Sequence, residues 1–155
     1  MKIRHPLFVA LLAAFAVSLT LVVSAVAAET PFKGTVSAVE TGTVVFPTRF
    51  LVREGTGTAT YLGRYTEHIT MVINIPTLSA TGAATFTAAN GDTLTATIAG
   101  QATRTSPTTL SIVENYTITG GTGRFADATG SFALQSTLDQ LTGASSGTFS
   151  GTIDH

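Results

Sequence analysis

The 155-residue chain contains no cysteine. It therefore lacks the disulfide framework that stabilises many small secreted proteins, and its core must be held together by packing alone. Lysine, glutamate and leucine are sparse after residue 28, which disfavours helices. Histidine is also rare there, with only His68 and His155, so we expect no metal site. No cofactor motif has its required context either, and we expect no cofactor.

Basic residues are few and form no cluster. After residue 28 they are scattered along the chain, as Lys33, Arg49, Arg53, Arg64, Arg104 and Arg124. Phosphate binding needs a concentrated positive surface. We therefore expect no nucleic-acid partner.

The first 28 residues have the layout of a secretory signal peptide. Lys2 and Arg4 precede an apolar run over residues 7–26, and small residues follow at Ala27 and Ala28. Cleavage there leaves a secreted or periplasmic domain over residues 29–155, with six basic and nine acidic residues, a net charge of −3, and no membrane contact. The alternative is an uncleaved anchor, because the run approaches the ~20 apolar residues that a spanning helix needs.

Residues 29–155 have the composition of a single all-β domain. All 15 glycines of the chain lie in this region and threonine is abundant, which favours strands joined by tight turns. The length suits one domain, since domains of about 100–150 residues are the commonest. Alternation of apolar and polar residues predicts eight strands, over 32–39, 43–53, 60–75, 82–88, 92–103, 108–119, 130–139 and 146–153.

The clearest hairpin is centred on Asn90-Gly91, a pair that tolerates the positive φ angles of a tight turn. In the strand that follows, apolar residues alternate with threonines, so the two kinds should occupy opposite faces. Such a pattern over eight antiparallel strands favours a closed barrel, which has no exposed edges. A β-sandwich is the alternative. Eight strands enclose a space that side chains fill or that holds one small ligand.

Residues 120–130 read Gly-Gly-Thr-Gly-Arg-Phe-Ala-Asp-Ala-Thr-Gly. This segment resembles the Gly-Gly-Thr-Gly-x-Phe-x-x-Ala-x-Gly signature of the allene oxide cyclase and dirigent barrel superfamily, here in a bacterial-type secreted form. The resemblance rests on Gly120, Gly121, Thr122, Gly123, Phe125 and Gly130. It implies an eight-stranded barrel, often trimeric, with a hydrophobic internal cavity.

The same segment departs from the dirigent pattern at two positions. Dirigent proteins carry arginines where this chain has Ala126 and Thr129, which counts against phenoxy-radical coupling. The catalytic residues of plant allene oxide cyclases are not reproduced either. We expect the glycines to provide unusual backbone angles and Phe125 to plug one barrel end. Arg124 and Asp127 should pair with each other or meet a ligand at the rim.

Two strands place a glutamate beside a tyrosine on their apolar face. Glu114 and Tyr116 are in phase with apolar residues of the sixth predicted strand, and Glu67 and Tyr65 with those of the third. In an apolar cavity the pKa of a carboxyl group rises, which suits it to general acid catalysis near neutral pH. We expect these four residues to be the catalytic candidates. The alternative is that the carboxylates are hydrated at the barrel mouths.

The second predicted strand places Glu54 in phase with Phe50 and Val52, so this glutamate is also expected to point inward. The bases on this strand and the next are expected on the outer faces, as Arg49, Arg53, Arg64 and His68. The predicted lining of the cavity consists of Phe50, Ile69, Met71, Phe86, Ile112, Phe132 and Leu134.

Three classes of function fit this interior. The first is a barrel that binds a small apolar or aromatic molecule. The second is an isomerase or cyclase of the allene oxide cyclase or dirigent type that uses an interior glutamate as its acid. The third is a structural or assembly module with a filled barrel. Binding ranks first, because no set of residues compels chemistry and one fold supports many functions. A homotrimer is expected from the resemblance alone.

Overall fold

The computed structural model describes residues 30–155, and the predicted signal peptide lies outside them. Eight antiparallel strands form one closed barrel, in which each strand pairs with the next and the eighth pairs with the first. The strands are β1 Thr30–Val45, β2 Thr48–Ala59, β3 Gly63–Asn74, β4 Ser79–Ala88, β5 Thr93–Arg104, β6 Thr109–Gly121, β7 Thr129–Asp139 and β8 Ala144–Asp154. The predicted all-β barrel is confirmed, and the sandwich is excluded. Within residues 30–155, no helix is long and apolar enough to cross a membrane.

The Asn90-Gly91 hairpin joins β4 and β5 as predicted. Gly91 has a φ of 89°, and the N–H of Ala88 donates to the carbonyl of Asp92 across the turn. The apolar residues Leu94, Ala96 and Ile98 are buried, and the threonines between them face outward. A shift of one residue in the register of β5 would have moved all of these side chains to the opposite face of the sheet.

The first turn lies later than the sequence suggests. We predicted that the first strand ends at residue 39 and the second begins at 43, but β1 continues to Val45 and the turn is Phe46-Pro47. Gly42, which looks like a turn residue, is instead paired with Leu51 inside the ladder. A Cβ there would meet the Phe50 carbonyl oxygen at 2.4 Å, so close strand approach requires this glycine. Glu40 is consequently part of a strand.

The predicted orientation of β2 is wrong. Phe50 and Val52 lie on the outer wall, with 52% and 36% of their surface exposed, and Glu54 is also outside, against His68 of β3. Arg53, predicted to face solvent, is 1% exposed and points into the barrel. The apolar pattern of β2 alone favours the opposite arrangement. This preference is overridden because the buried carboxylates on other strands require a cation inside the barrel.

An aromatic core fills one half of the barrel. Six rings from six strands contact one another there, with centroid distances of 4.4–6.0 Å, and they are Phe32, Tyr65, Phe86, Tyr116, Phe132 and Phe149. Phe125, in a 3-10 turn over Gly123–Phe125, is completely buried in the same cluster. This ring covers the barrel end at which β6 passes to β7, as predicted.

The glycine-rich loop has a structural role. Gly123 adopts a φ of 57°, and a Cβ there would meet the Asp92 carboxylate at 2.0 Å. Gly130 has a φ of 132° where β7 begins. The Nε atom of Arg124 lies 3.8 Å from Asp92 in the neighbouring β4–β5 turn, so its partner is not the predicted Asp127. The loop is therefore fixed to the adjacent hairpin.

We expect Phe125→Ala to lower the free energy of unfolding by about 3 kcal/mol, because it removes a fully buried ring and leaves a cavity. Urea denaturation measures the change. Phe46→Ala is the matched control: this ring is 76% exposed, and its loss should cost less than about 0.5 kcal/mol. Equal effects of the two substitutions would contradict the plug.

Candidate functional site

A buried arginine occupies the middle of the barrel. The guanidinium of Arg53 donates from Nη1 and Nη2 to the two carboxylate oxygens of Glu114, over 3.1 and 2.9 Å, and from Nε to Glu67 over 3.1 Å. All three side chains are about 2% exposed. Such two-pronged pairing with carboxylates is specific to the planar fork of arginine. The arrangement ties β2 to β3 and, across the barrel, to β6.

Tyr116 completes this network on the side of the aromatic core. Its hydroxyl donates to Glu114 over 2.7 Å and accepts a hydrogen bond from Arg53, while its ring stacks on Phe132 at 4.4 Å. The predicted pairing of Glu114 with Tyr116 is confirmed. Tyr65 differs, because its hydroxyl donates to the backbone carbonyl of Thr35 over 2.9 Å and not to Glu67.

Small residues make room for the large polar side chains. A Cβ at Gly100 would lie 3.0 Å from the Cγ of Glu114, and one at Gly55 would lie 3.0 Å from Glu67. At Gly57 it would lie 2.5 Å from the hydroxyl oxygen of Tyr65. These inward-facing glycines are a signal for the site in the sequence, because a glycine inside a strand marks a close approach.

Glu40 on β1 is a fourth charged member of the site, after Arg53, Glu67 and Glu114, and it was not predicted. Its carboxylate lies 3.9 Å from Nη1 of Arg53 and 3.9 Å from Nη1 of Arg49, and its side chain is 2% exposed. The even residues of β1, including Phe32, Val36 and Ala38, face the interior. Extending that alternation past residue 39 would have predicted that Glu40 faces the interior. The first turn was predicted too early, at residues 40–42, and Glu40 was therefore assigned to a loop.

The interior carries three carboxyl groups. Burial raises the pKa of Glu40 and the pKa of Glu67 above the ordinary value, although the positive charge of Arg53 acts on both in the opposite direction. Burial alone would lower the pKa of Arg53, but Tyr116, Glu114 and Glu67 more than reverse this, so the guanidinium stays charged. The charged forms of Glu40 and Glu67 are therefore less favoured than that of an exposed glutamate.

Burial likewise raises the pKa of Tyr116 and the pKa of Tyr65, and the nearby carboxylates act in the same direction. Both phenols therefore keep their protons, and each donates a hydrogen bond. A phenol that stays neutral can stabilise the Arg53 network without adding to its negative charge.

A cavity of about 250 Å³ occupies the half of the barrel opposite the aromatic core. Glu40 and Glu114 lie at its polar side, and Arg49, Arg104 and Gln140 lie among its other lining residues. Its apolar wall includes Leu51, Met71, Ile73, Leu110, Ile112 and Leu138. The barrel is thus neither wholly filled nor wholly open. The depressions on the outer wall are larger but shallow, with much of their volume in open solvent.

The predicted lining residues divide into three groups. Met71 and Ile112 line the cavity. Ile69, Phe86, Phe132 and Leu134 are buried in the packed core instead. Phe50 is on the outer wall, so the prediction that it faces the interior is wrong. Among the residues that the structure describes, no group of three or more His, Asp or Glu side chains is arranged to hold a metal ion.

The site can accept hydrogen bonds and exchange protons in an apolar enclosure. Glu114 and Glu67 are both held by Arg53, whereas Glu40 has cations only at 3.9 Å. Of the two carboxylates that line the cavity, Glu40 is the one that accepts no hydrogen bond from the residues that the structure describes.

We expect Arg53→Met to destabilise the barrel by about 3–5 kcal/mol at neutral pH, because it leaves buried carboxylates without their cation. The loss should shrink on acidification, since protons then neutralise those charges. Urea denaturation at several pH values measures both effects. Arg64→Met, at an exposed position of β3, is the matched control. Adding Glu67→Gln and Glu114→Gln to Arg53→Met should restore part of the stability, and no recovery would contradict the network.

Glu40 also predicts a pH dependence of stability. A carboxyl group with a raised pKa binds more protons in the folded chain, so its contribution is most favourable below the ordinary pKa of 4.5 and is lost as pH rises toward the folded value. The stability of Glu40→Gln relative to the native protein should therefore increase with pH over that window. Glu54→Gln, on the outer wall, is the control. A relative stability that falls with pH would show that the ion pairs of Glu40 outweigh its burial.

Comparison of the chain with protein-family models, with curated proteins and with solved structures found no match. The superfamily suggested by residues 120–130 therefore stays a prediction. The function has to be inferred from the cavity and its charges.

Proposed function

We propose that the protein binds one small, mainly apolar molecule in the cavity below the Arg53 network. The observation that carries this proposal is a partly open cavity of about 250 Å³ with apolar walls and two carboxylates at one side. Binding sites for small molecules have this character, with few polar groups set in a hydrophobic surround. The volume is slightly below the ~300 Å³ typical of such sites, which favours a compact ligand.

The rigidity of the site supports binding. The cavity is surrounded by strands of a closed barrel, and its polar side is fixed by the hydrogen bonds of Arg53 to β3 and β6. A ligand therefore meets preformed walls, and little ordering entropy is lost on binding. A structural module with a filled barrel would have no cavity of this size, so this alternative is the least favoured.

The isomerase or cyclase alternative depends on a different residue from those expected. Glu114 is held by Arg53 and Tyr116, and Glu67 does not line the cavity. Glu40 lines the cavity and has a raised pKa, so any general acid catalysis would rest on Glu40. Binding remains the better supported function, because it requires only the cavity and its lining, whereas acid catalysis also requires a protonated Glu40 placed against a reactive substrate.

The proposal places the protein outside the cytoplasm, since residues 1–28 have the pattern of a signal peptide. A barrel without disulfides can fold in any compartment, so the absence of cysteine gives no information about location. The signal-peptide pattern alone supports a location outside the cytoplasm. Assembly into a trimer stays a prediction from the resemblance.

A cavity-filling substitution tests the proposal. Ala80 lines the cavity, whereas Ala83 is exposed on the outer wall of the same strand. We expect benzyl alcohol to bind the native protein saturably in an NMR titration, with the largest shifts at Met71 and Ile112. Ala80→Leu should weaken this binding about tenfold or more, equivalent to ~1.4 kcal/mol, and Ala83→Leu should leave it unchanged. Equal binding by both variants, or shifts confined to the outer wall, would contradict the proposal.

A further inference from the structure

Glu40 presents to the cavity a carboxylate that accepts no hydrogen bond from the residues that the structure describes. Within the part of the chain that the structure describes, no group donates a hydrogen bond to it, and its nearest cations stand at 3.9 Å. The Glu40 side chain is nevertheless almost completely buried, with 2% of its surface exposed. A buried carboxylate normally has hydrogen-bond partners, since leaving it without them is costly. The missing donor can be supplied from the cavity side.

The charges around Glu40 do not balance. Three carboxylates, from Glu40, Glu67 and Glu114, face two guanidinium groups, from Arg49 and Arg53. When all are ionised, these five side chains carry one excess negative charge. Arg104 is the remaining charged residue of the cavity lining. Its guanidinium donates to Gln140 and to the carbonyl of Pro107, and it forms no ion pair with Glu40.

We infer that the cavity selects a small apolar amine, whose ammonium group donates to the Glu40 carboxylate while its hydrocarbon part packs on the apolar wall. This inference rests on the proposed binding function and names its ligand class. A monovalent cation would neutralise the excess charge of these five side chains and would supply the donor that Glu40 lacks. A carboxylate ligand would instead place a second negative charge beside Glu40.

Protonation of Glu40 should control this selection. A proton on the carboxyl group removes the negative charge that attracts the ammonium, so amine binding should weaken as pH falls. Burial raises the pKa of Glu40, and therefore the weakening should begin above the pH range of an exposed glutamate. The neighbouring Arg49 and Arg53 oppose that shift, and Glu114 reinforces it.

Three probes of one shape test the inference: benzylamine, benzyl alcohol and benzoate. At about pH 7, where the amine is charged and the acid ionised, we expect benzylamine to bind the native protein about tenfold or more tightly than benzyl alcohol. Benzoate should bind more weakly than the alcohol. Calorimetry or an NMR titration gives the three dissociation constants. The ratio of amine to alcohol affinity should fall at about pH 5.

Glu40→Gln should reduce the preference for benzylamine over benzyl alcohol to within about twofold. A cooperative urea denaturation curve shows that the variant is folded. Glu54→Gln, which alters an exposed carboxylate on the outer wall, should keep the native preference. If Glu40→Gln does not fold, the three probes on the native protein still decide.

The outcomes separate the two proposals. Equal binding of alcohol and amine, tighter binding of benzoate, or a preference that survives Glu40→Gln would overturn the amine inference and leave the binding function standing. If none of the three probes binds in the cavity, the proposed function itself fails, and the inference fails with it.

Discussion

The pairing of Arg53 with Glu67 and Glu114 is the interaction on which the rest of the interior depends. Three carboxylates lie inside a barrel of 126 described residues, and each would be too costly to bury without a compensating cation. Arg53 meets two of them through direct hydrogen bonds and the third at longer range. This requirement sets the orientation of β2 and moves Phe50 and Val52 to the outer wall, against their hydrophobicity.

The same network divides the barrel into two unlike halves. On one side, Tyr116 stacks on Phe132 and the aromatic core fills the space up to Phe125. On the other side, the carboxylates of Glu40 and Glu114 face a cavity whose remaining wall is apolar. The packed half and the closed ladder supply rigidity, and the open half supplies room for a ligand. The polar network of Arg53 in an otherwise apolar barrel interior therefore links the stability of the fold to the chemistry of its cavity.

Periodicity predicted most of the fold because the barrel wall has solvent on one side and a core on the other. The β4–β5 hairpin and the inward faces of β3 and β6, including Glu67 and Glu114, followed from alternation and from one Asn-Gly turn. Local pattern could not orient β2, because the reason Arg53 points inward lies on β3 and β6, far away in sequence. Glu40 was missed for a simpler reason. Gly42 looks like a turn residue in the sequence, but it lies inside the strand ladder, where it allows close approach of β2.

The most direct test of this account is the state of the Arg53 guanidinium, observed by ¹⁵N and ¹H NMR of the arginine side chains at neutral pH. A guanidinium held by two carboxylates and a phenol cannot rotate freely or exchange its protons with water. The account predicts one arginine with separate, slowly exchanging Nη proton signals, which disappear in Arg53→Lys. Averaged, rapidly exchanging signals from all the arginines would contradict it.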